Sequence, residues 1–262
     1  MLRHLPNKKL RGAKLAVYIV THKRVELPSA DWLRPLGLNG YRDEQVPISD
    51  ADGTDSISDL NRSYGELTGL YWLLKHCSDD YVGLYHYRRF LTFIPLPAPD
   101  TQYPAVWMMP PDAATFDFVS SEQQRDRMLA LLETYDFILP RPIIYAETVA
   151  TSFINAHGPL FWDCFIRSCQ REFGCDMRYF DQETRFYCGN IFVTTAEKFR
   201  AFAAALFRVV DAVHAELGDI ADDPTARYAP HRYPGYIAER FIGLYIHKMG
   251  LRTFETPMVW TP

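Results

Sequence analysis

The 262-residue chain has no apolar run of the roughly 18 residues that a membrane-spanning helix needs, so no span is expected. The basic residues Arg3, Lys8, Lys9, Arg11 and Lys14 open the chain, but no apolar stretch follows them as it would in a secretory leader. They suit a cytoplasmic protein, with peripheral contact to the inner membrane open to it through anionic lipid, or simply a solvated tail. Cysteine is sparse: Cys77, Cys164, Cys169, Cys175 and Cys188 form no C-x-x-C pair and leave one over. Neither a zinc site nor a complete disulfide framework is indicated, and a reducing compartment is expected. An excess of positive charge is missing as well, with 28 Lys plus Arg against 32 Asp plus Glu, which argues against a nucleic-acid partner. The P-loop, G-x-G-x-x-G, G-x-S-x-G and H-E-x-x-H patterns do not occur, and no internal repeat is present.

What is present is apolar sequence in short, alternating pieces. With 48% hydrophobic residues the chain can bury a substantial core, and it reads as a single mixed α/β domain over residues 1–262. Lys14 to Val20 is a β-branched run ending in Thr21-His22-Lys23, a first strand with its exit loop. Prolines and glycines from Glu26 to Leu60 predict loops with at most a short helix or strand. The acidic piece Asp50 to Asp55 lacks a Glu at the twelfth calcium-loop position and reads as a turn.

Tyr64, Leu67, Tyr71 and Leu74 recur at helical spacing and predict a helix from Ser63 to His76, with Ser63 and Glu66 at capping-box spacing. The apolar stretch from Tyr81 follows at once, and strand, helix and strand in this order favour a largely parallel sheet covered by helices. Six prolines between Thr92 and Ser121 predict a loop, or a lid over a site. Further helices are expected over Glu122–Tyr135, about Gly158–Phe173, Ala196–Leu217 and Pro234–Met249. Strands are expected at Phe137–Leu139 and at Tyr187–Val193, where Gly189 suggests a close approach of backbone or ligand.

Tyr81-Val82-Gly83-Leu84-Tyr85-His86-Tyr87-Arg88-Arg89-Phe90 carries most of the chemistry. Read as one strand, it places His86 and Arg88 on one face and Arg89 on the other. Ligands of open α/β sheets sit at the carboxyl ends of strands, so this pair and His22 with Lys23 predict an anionic ligand. Gly189 and Asn190 add groups suited to a polyol. A diphosphate and a polyol are the chemistry these residues fit.

Several blocks carry a resemblance: Thr21-His22-Lys23, Ile57-Ser58-Asp59-Leu60-Asn61, Tyr64 to Trp72, Gly83 to Phe90, Tyr135 to Pro140, and Gly235 to Arg240. In this order they resemble a bacterial family of capsule and exopolysaccharide biosynthesis proteins, long catalogued as an uncharacterised domain and regarded as glycosyltransferases. The resemblance implies a GT-A-like (Rossmann-type) α/β fold, with a mostly parallel or mixed sheet flanked by helices. It implies transfer of a hexose, galactose as pyranose or furanose, from a UDP-linked or similar nucleotide-sugar donor. The acceptor would be a glycan or lipid-linked glycan of a cell-surface polysaccharide. The long proline-rich loop after Phe90 departs from the family's pattern.

GT-A folds usually hold a divalent metal on an Asp-x-Asp at the end of a central strand, and none stands after an apolar strand here. No cofactor is therefore indicated, although a divalent metal is not excluded. His86 and Arg88 are expected to occupy that place and to neutralise the departing diphosphate directly, because an arginine fork matches phosphate oxygens and keeps its charge. The same arginines could instead pair with carboxylates. Glu239 is the candidate general base, with ion pairing to Arg240 as the plainer reading and Glu66 as the rival. His22, Lys23, Asn61, Glu66 and Arg89 are assigned to the donor and Gly189, Asn190 and Arg240 to the acceptor. Asn61, like His157, would also serve as a helix cap. Two other classes fit the composition: a non-catalytic carbohydrate-binding or assembly protein, which the 15% aromatic content would suit, and another enzyme acting on sugar-nucleotide phosphates.

Overall fold

The computed structural model describes residues 12–94, 106–176, 178–223 and 225–262. In chain order its strands are β1 (Leu15–Thr21), β2 (Leu33–Gly37), β3 (Tyr81–His86), β4 (Arg89–Leu91), β5 (Val106–Met108), β6 (Phe137–Pro140), β7 (Ile143–Ile144), β8 (Arg185–Phe186), β9 (Phe192–Thr195), β10 (Thr253–Thr256) and β11 (Met258–Trp260). The helices are α1 (Asn61–Tyr64), α2 (Leu67–His76), α3 (Ala113–Ser120), α4 (Glu122–Leu132), α5 (Val149–His157), α6 (Pro159–Ser168), α7 (Tyr179–Gln182), α8 (Ala196–Leu217) and α9 (Tyr233–Met249).

Among the described residues nine strands form one mixed sheet. Its main run is β2-β1-β3-β9-β6-β10, and β4, β11 and β5 extend from the carboxyl end of β3. β1 is parallel to β2 and β3, and β6 to β10, whereas β9 runs antiparallel between β3 and β6. β7 and β8 make a separate two-stranded ribbon.

The strands divide their side chains between two cores by the two-residue period of extended chain. Ala16, Tyr18 and Val20 of β1 face one core, with Val82 and Leu84, Phe137 and Leu139, and Phe192. Leu15, Val17 and Ile19 face the other, with Tyr85, Ile138 and Val193. Burial on both faces explains why β1 reads as a continuous apolar run rather than an alternating one. The first core is closed by α2, α6, α8 and α9 through residues such as Leu70, Phe165, Phe202, Leu206 and Phe241. The second is closed by Met128, Leu129 and Leu132 of α4. Each such fully buried side chain stabilises the fold by about 1.5–3 kcal/mol relative to exposure. The result is the α/β architecture, mixed sheet between helices, that the resemblance implies.

Helix ends follow their local chemistry. The Thr195 side chain accepts from the Lys198 N–H to start α8, and Pro234 sits in the first turn of α9, which Gly250 ends at φ 61°. Among the described residues no helix is long and apolar enough to cross a membrane.

The structure differs from the sequence expectations at several places. The helix expected from Ser63 to His76 breaks at Gly65, whose φ of 54° with ψ of −128° suits glycine alone, so α1 and α2 are separate. No Ser63–Glu66 capping box forms, because Glu66 lies at that break and turns its carboxylate toward Asn190. Tyr187 to Ile191 is not strand: Gly189 and Asn190 take φ of 89° and 51°, and β9 starts only at Phe192. The region expected as a proline-rich loop contains β5 and α3, whose start is capped by Asp112, while residues 95–105 lie outside those described. The basic residues Arg3, Lys8, Lys9 and Arg11 lie outside them too.

Candidate active site

A cleft of about 530 Å³ opens at the carboxyl ends of β1 and β3, where open α/β sheets present ligand sites. β1 delivers Val20 and His22 to it, the β3–β4 hairpin delivers His86, Tyr87, Arg88 and Arg89, and the α1–α2 junction delivers Asn61, Arg62, Gly65 and Glu66. Arg232, Gly235, Tyr236 and Glu239 come from the start of α9 and the turn before it.

The hairpin corrects the expected pairing. β3 ends at His86, Tyr87 and Arg88 form the turn, and β4 begins at Arg89, which stands directly opposite His86 in the antiparallel register. Opposite residues of an antiparallel pair share a face of the sheet, so His86 is partnered by Arg89 and not by Arg88. Arg89 also lies over the Trp260 ring at 5.0 Å, while Arg88, at the exposed tip, lies over Tyr87 at 5.1 Å. Burial pushes the His86 imidazole down to about 4, against the pull of the Glu66 carboxylate and with Arg89 and Arg232 adding to the fall. His86 is therefore neutral near pH 7 and offers a hydrogen bond rather than a charge. Its Nε2 is buried and has no protein partner among the described residues.

Among the described residues two carboxylates reach the cleft, and each is held by the left-handed Gly189-Asn190 step. The Asn190 amide donates from Nδ2 to Glu66 Oε1 at 2.7 Å, and the Gly189 N–H donates to Glu239 Oε1 at 2.6 Å. Asn tolerates this backbone conformation, and Gly189 adopts it where an added Cβ would stand 3.1 Å from Arg89 Nη1. Arg240 Nη1 donates to Glu239 Oε2 and to the Tyr236 carbonyl, both at 3.1 Å. Its guanidinium is sandwiched between Phe153 and Phe186, at 5.1 and 4.2 Å from the ring centres.

The two carboxyls are pushed apart in acidity. Burial raises Glu239 above the usual carboxylate range, with nearby Glu66 adding to the rise, while Arg240, the Gly189 N–H and Arg89 oppose it. Burial works to raise Glu66 also, but His86, the Asn190 hydrogen bond and Arg232 outweigh it and bring Glu66 below its usual value. Such divergence separates a group fit to exchange a proton from one held as a fixed charge.

Of the residues singled out from sequence, His22, Asn61, Glu66, His86, Arg88, Arg89 and Glu239 line the cleft. Lys23 is exposed over the Tyr87 ring at 5.4 Å, and Gly189, Asn190 and Arg240 stand behind the carboxylates that they orient. Asn61 is tied inward, donating to the Gly65 carbonyl and to Thr68. His157 caps nothing: it ends α5 and stacks on Tyr236.

Among the described residues four arginines face this space: Arg62, Arg88, Arg89 and Arg232. Among the described residues no group of three or more His, Cys, Asp and Glu side chains could hold a metal ion. The D-x-D that the chain does carry, Asp50-Ala51-Asp52, is used structurally. Asp50 is buried and accepts from the Asn39 and Gly40 N–H groups and from Ser58 and Thr68, and Asp52 pairs with Arg42.

The sequence profile of a family described as domain of unknown function DUF4422 matches residues 16–250. The chain belongs to the DUF4422 family. No curated protein matches it. Among solved structures, the DUF4422 chain is similar to one titled as the apo structure of the WbbM bifunctional glycosyltransferase. The identity is 23% and the TM-score 0.81, over 95% of this chain and 45% of that one. The chain thus spans about half the length of that structure, and the likeness is one of fold, GT-A-like as expected.

Among the cleft residues of this DUF4422 domain that sequence reasoning did not assign are Arg62, Tyr87, Arg232, Tyr236 and Trp260. Tyr236 carried a signal: it precedes Glu239 by three residues and so shares its helix face. Arg232 carried none, since it sits in a turn-rich segment and reaches the site only because Gly65 leaves room. An added Cβ there would stand 2.8 Å from Arg232 Nη2.

Proposed function

We propose that this cleft transfers a hexose from a nucleoside diphosphate donor to a glycan acceptor. The observation that carries the reading is the meeting of four arginines with the Glu239 carboxyl, held by the Gly189 N–H, at the carboxyl ends of β1 and β3. The fold is shared with a protein titled a glycosyltransferase, and the resemblance of the sequence blocks points the same way.

In the proposed reaction the acceptor hydroxyl oxygen attacks the anomeric carbon and the bond from that carbon to the diphosphate oxygen breaks. Glu239 takes the hydroxyl proton, which its raised pKa suits, and the diphosphate leaves with the bonding electrons. Arg88, Arg89 and Arg232 neutralise the departing charge, and His86 Nε2 donates a hydrogen bond to it. Charge-assisted donors of this kind are worth about 2.7–4 kcal/mol each when they act on developing charge in a dry site. Glu66, held ionised, pairs with Arg232 across 3.8 Å. The nucleoside end is placed at the exit of β1, where Val20, Leu38, His22 and Tyr87 form an apolar and aromatic wall.

UDP-galactose is the donor proposed, and a capsular or exopolysaccharide glycan, lipid-linked at the inner membrane, the acceptor. The test is nucleoside diphosphate release from a panel of UDP- and GDP-hexoses with and without glycan acceptors. Acceptor-dependent release supports the reading, and binding without any turnover would make the protein a carbohydrate-binding module instead.

A further inference from the structure

Beside Glu239 the cleft wall becomes aromatic. Tyr236 precedes Glu239 by three residues on α9, so the two side chains share one face of the helix and both line the cleft. The Tyr236 ring is stacked on His157 at 4.3 Å between centres and 21° between planes. His157 is backed by Phe153 at 4.7 Å and touches Tyr228 at 5.0 Å, and Tyr228 meets Tyr236 edge-on at 6.4 Å. These rings come from α5, from α9 and from the segment before it, so the tertiary fold, not one helix, builds the shelf.

The shelf is neutral and partly open. Burial, with Arg240 adding, pushes the His157 imidazole down to about 4, so it stacks as an uncharged ring near pH 7. Tyr228, at the outer end, is 38% exposed, with the Arg227 guanidinium over its ring at 5.2 Å. The Tyr236 ring, apolar on its face, bearing a hydroxyl at its edge and three residues from a carboxylate, does not suit a phosphate, which the arginines of the β3–β4 hairpin serve. It suits a saccharide, whose ring has an apolar C–H face to lay on an aromatic plane and hydroxyls around its edge to meet polar groups.

We propose that Tyr236, stacked on His157 and flanked edge-on by Tyr228, is the acceptor subsite, on which a pyranose stacks with one hydroxyl directed at Glu239. The proposal rests on the transferase reading. It replaces Gly189, Asn190 and Arg240 as the acceptor's contacts. Those residues orient the carboxylates, and the aromatic shelf orients the sugar. His157 is a positioning residue, acting on the acceptor through the Tyr236 ring.

The experiment is a saturation-transfer NMR titration of the full chain with methyl galactoside, methyl glucoside and methyl mannoside, each run with and without UDP, alongside calorimetry with UDP alone. The wild type is expected to bind at least one methyl hexoside. Tyr236→Ala and Tyr228→Ala should weaken it about tenfold, the equivalent of roughly 1.4 kcal/mol of lost stacking, and Tyr236→Phe, which keeps the ring, should not. UDP affinity should be the same in all three variants. If Tyr236→Ala fails to fold, Tyr228→Ala at the exposed rim decides alone. Equal hexoside binding by the alanine variants, or none by the wild type, overturns the subsite. Absence of UDP binding by the wild type would overturn the transferase reading separately, since the nucleotide-free titration reads the shelf on its own.

Discussion

His86 and Arg89 face each other across the two-residue turn between β3 and β4, the imidazole neutral and the guanidinium resting on Trp260. This pair sets the electrostatics of the cleft. The charge is supplied by Arg89 with Arg88 and Arg232, and the buried His86 Nε2 supplies a hydrogen-bond donor or acceptor beside it.

Arg89→Met should therefore lower turnover about 10²–10³-fold, the cost of removing one donor aimed at developing charge. Arg88→Met, at the exposed hairpin tip, should cost less. The comparison of kcat for both variants with the same donor checks the order, and a larger loss for Arg88 would return the partnership to the residue first suspected.

Glu239→Gln should reduce kcat about 10²–10⁴-fold with little change in nucleotide affinity, as expected for loss of a general base. In the wild type, kcat should rise with pH through an apparent pKa above the ordinary carboxylate range, because Glu239 must be ionised and its burial resists that. A flat profile from pH 5 to 7 together with full activity of Glu239→Gln would shift the role to Glu66.

Gly189→Ala is expected to destabilise the protein by about 1–3 kcal/mol, since the φ of 89° is strained for any residue with a Cβ. The new methyl would also stand 3.1 Å from Arg89 Nη1. Thermal melting measures the first effect. A turnover loss beyond what residual folded protein explains would report the second, together with displacement of the Glu239 carboxylate.

His157 makes stability depend on acid. Its folded-state pKa lies near 4, below the ordinary value of about 6.5 that it regains on unfolding, so the unfolded chain binds the extra proton first. Its contribution is fully present above that ordinary value and is lost as pH falls toward 4. Denaturant melts from pH 7 to 4 should show a smaller decline in His157→Phe than in the wild type. Parallel curves would show that the ring is not buried as a neutral group.

Much of the fold was legible where periodicity runs through one element. Ala196–Leu217 and the helix ending at Met249 stand as expected, because their apolar stripes and flanking glycines are local signals. The site was legible in composition but not in geometry. Alternation was counted through Arg88 as though the strand continued, and the turn at Tyr87 moved the partnership to Arg89. β10 and β11 were missed because they are four and three residues long and owe their existence to β6, β4 and β5, far off in sequence. The Gly189-Asn190 step looks like strand in the sequence because left-handed backbone leaves no periodic trace. What it orients, Glu66 and Glu239, became visible only when three distant segments met.

The claim that arginines and not a metal centre hold the diphosphate is tested most directly by calorimetric titration of UDP in excess EDTA, using the wild type and Arg89→Met. The account predicts that the wild type binds UDP unchanged by the chelator and that the variant binds at least about tenfold more weakly, as loss of a charge-assisted hydrogen bond requires. Binding abolished by EDTA, or identical in wild type and variant, would contradict it.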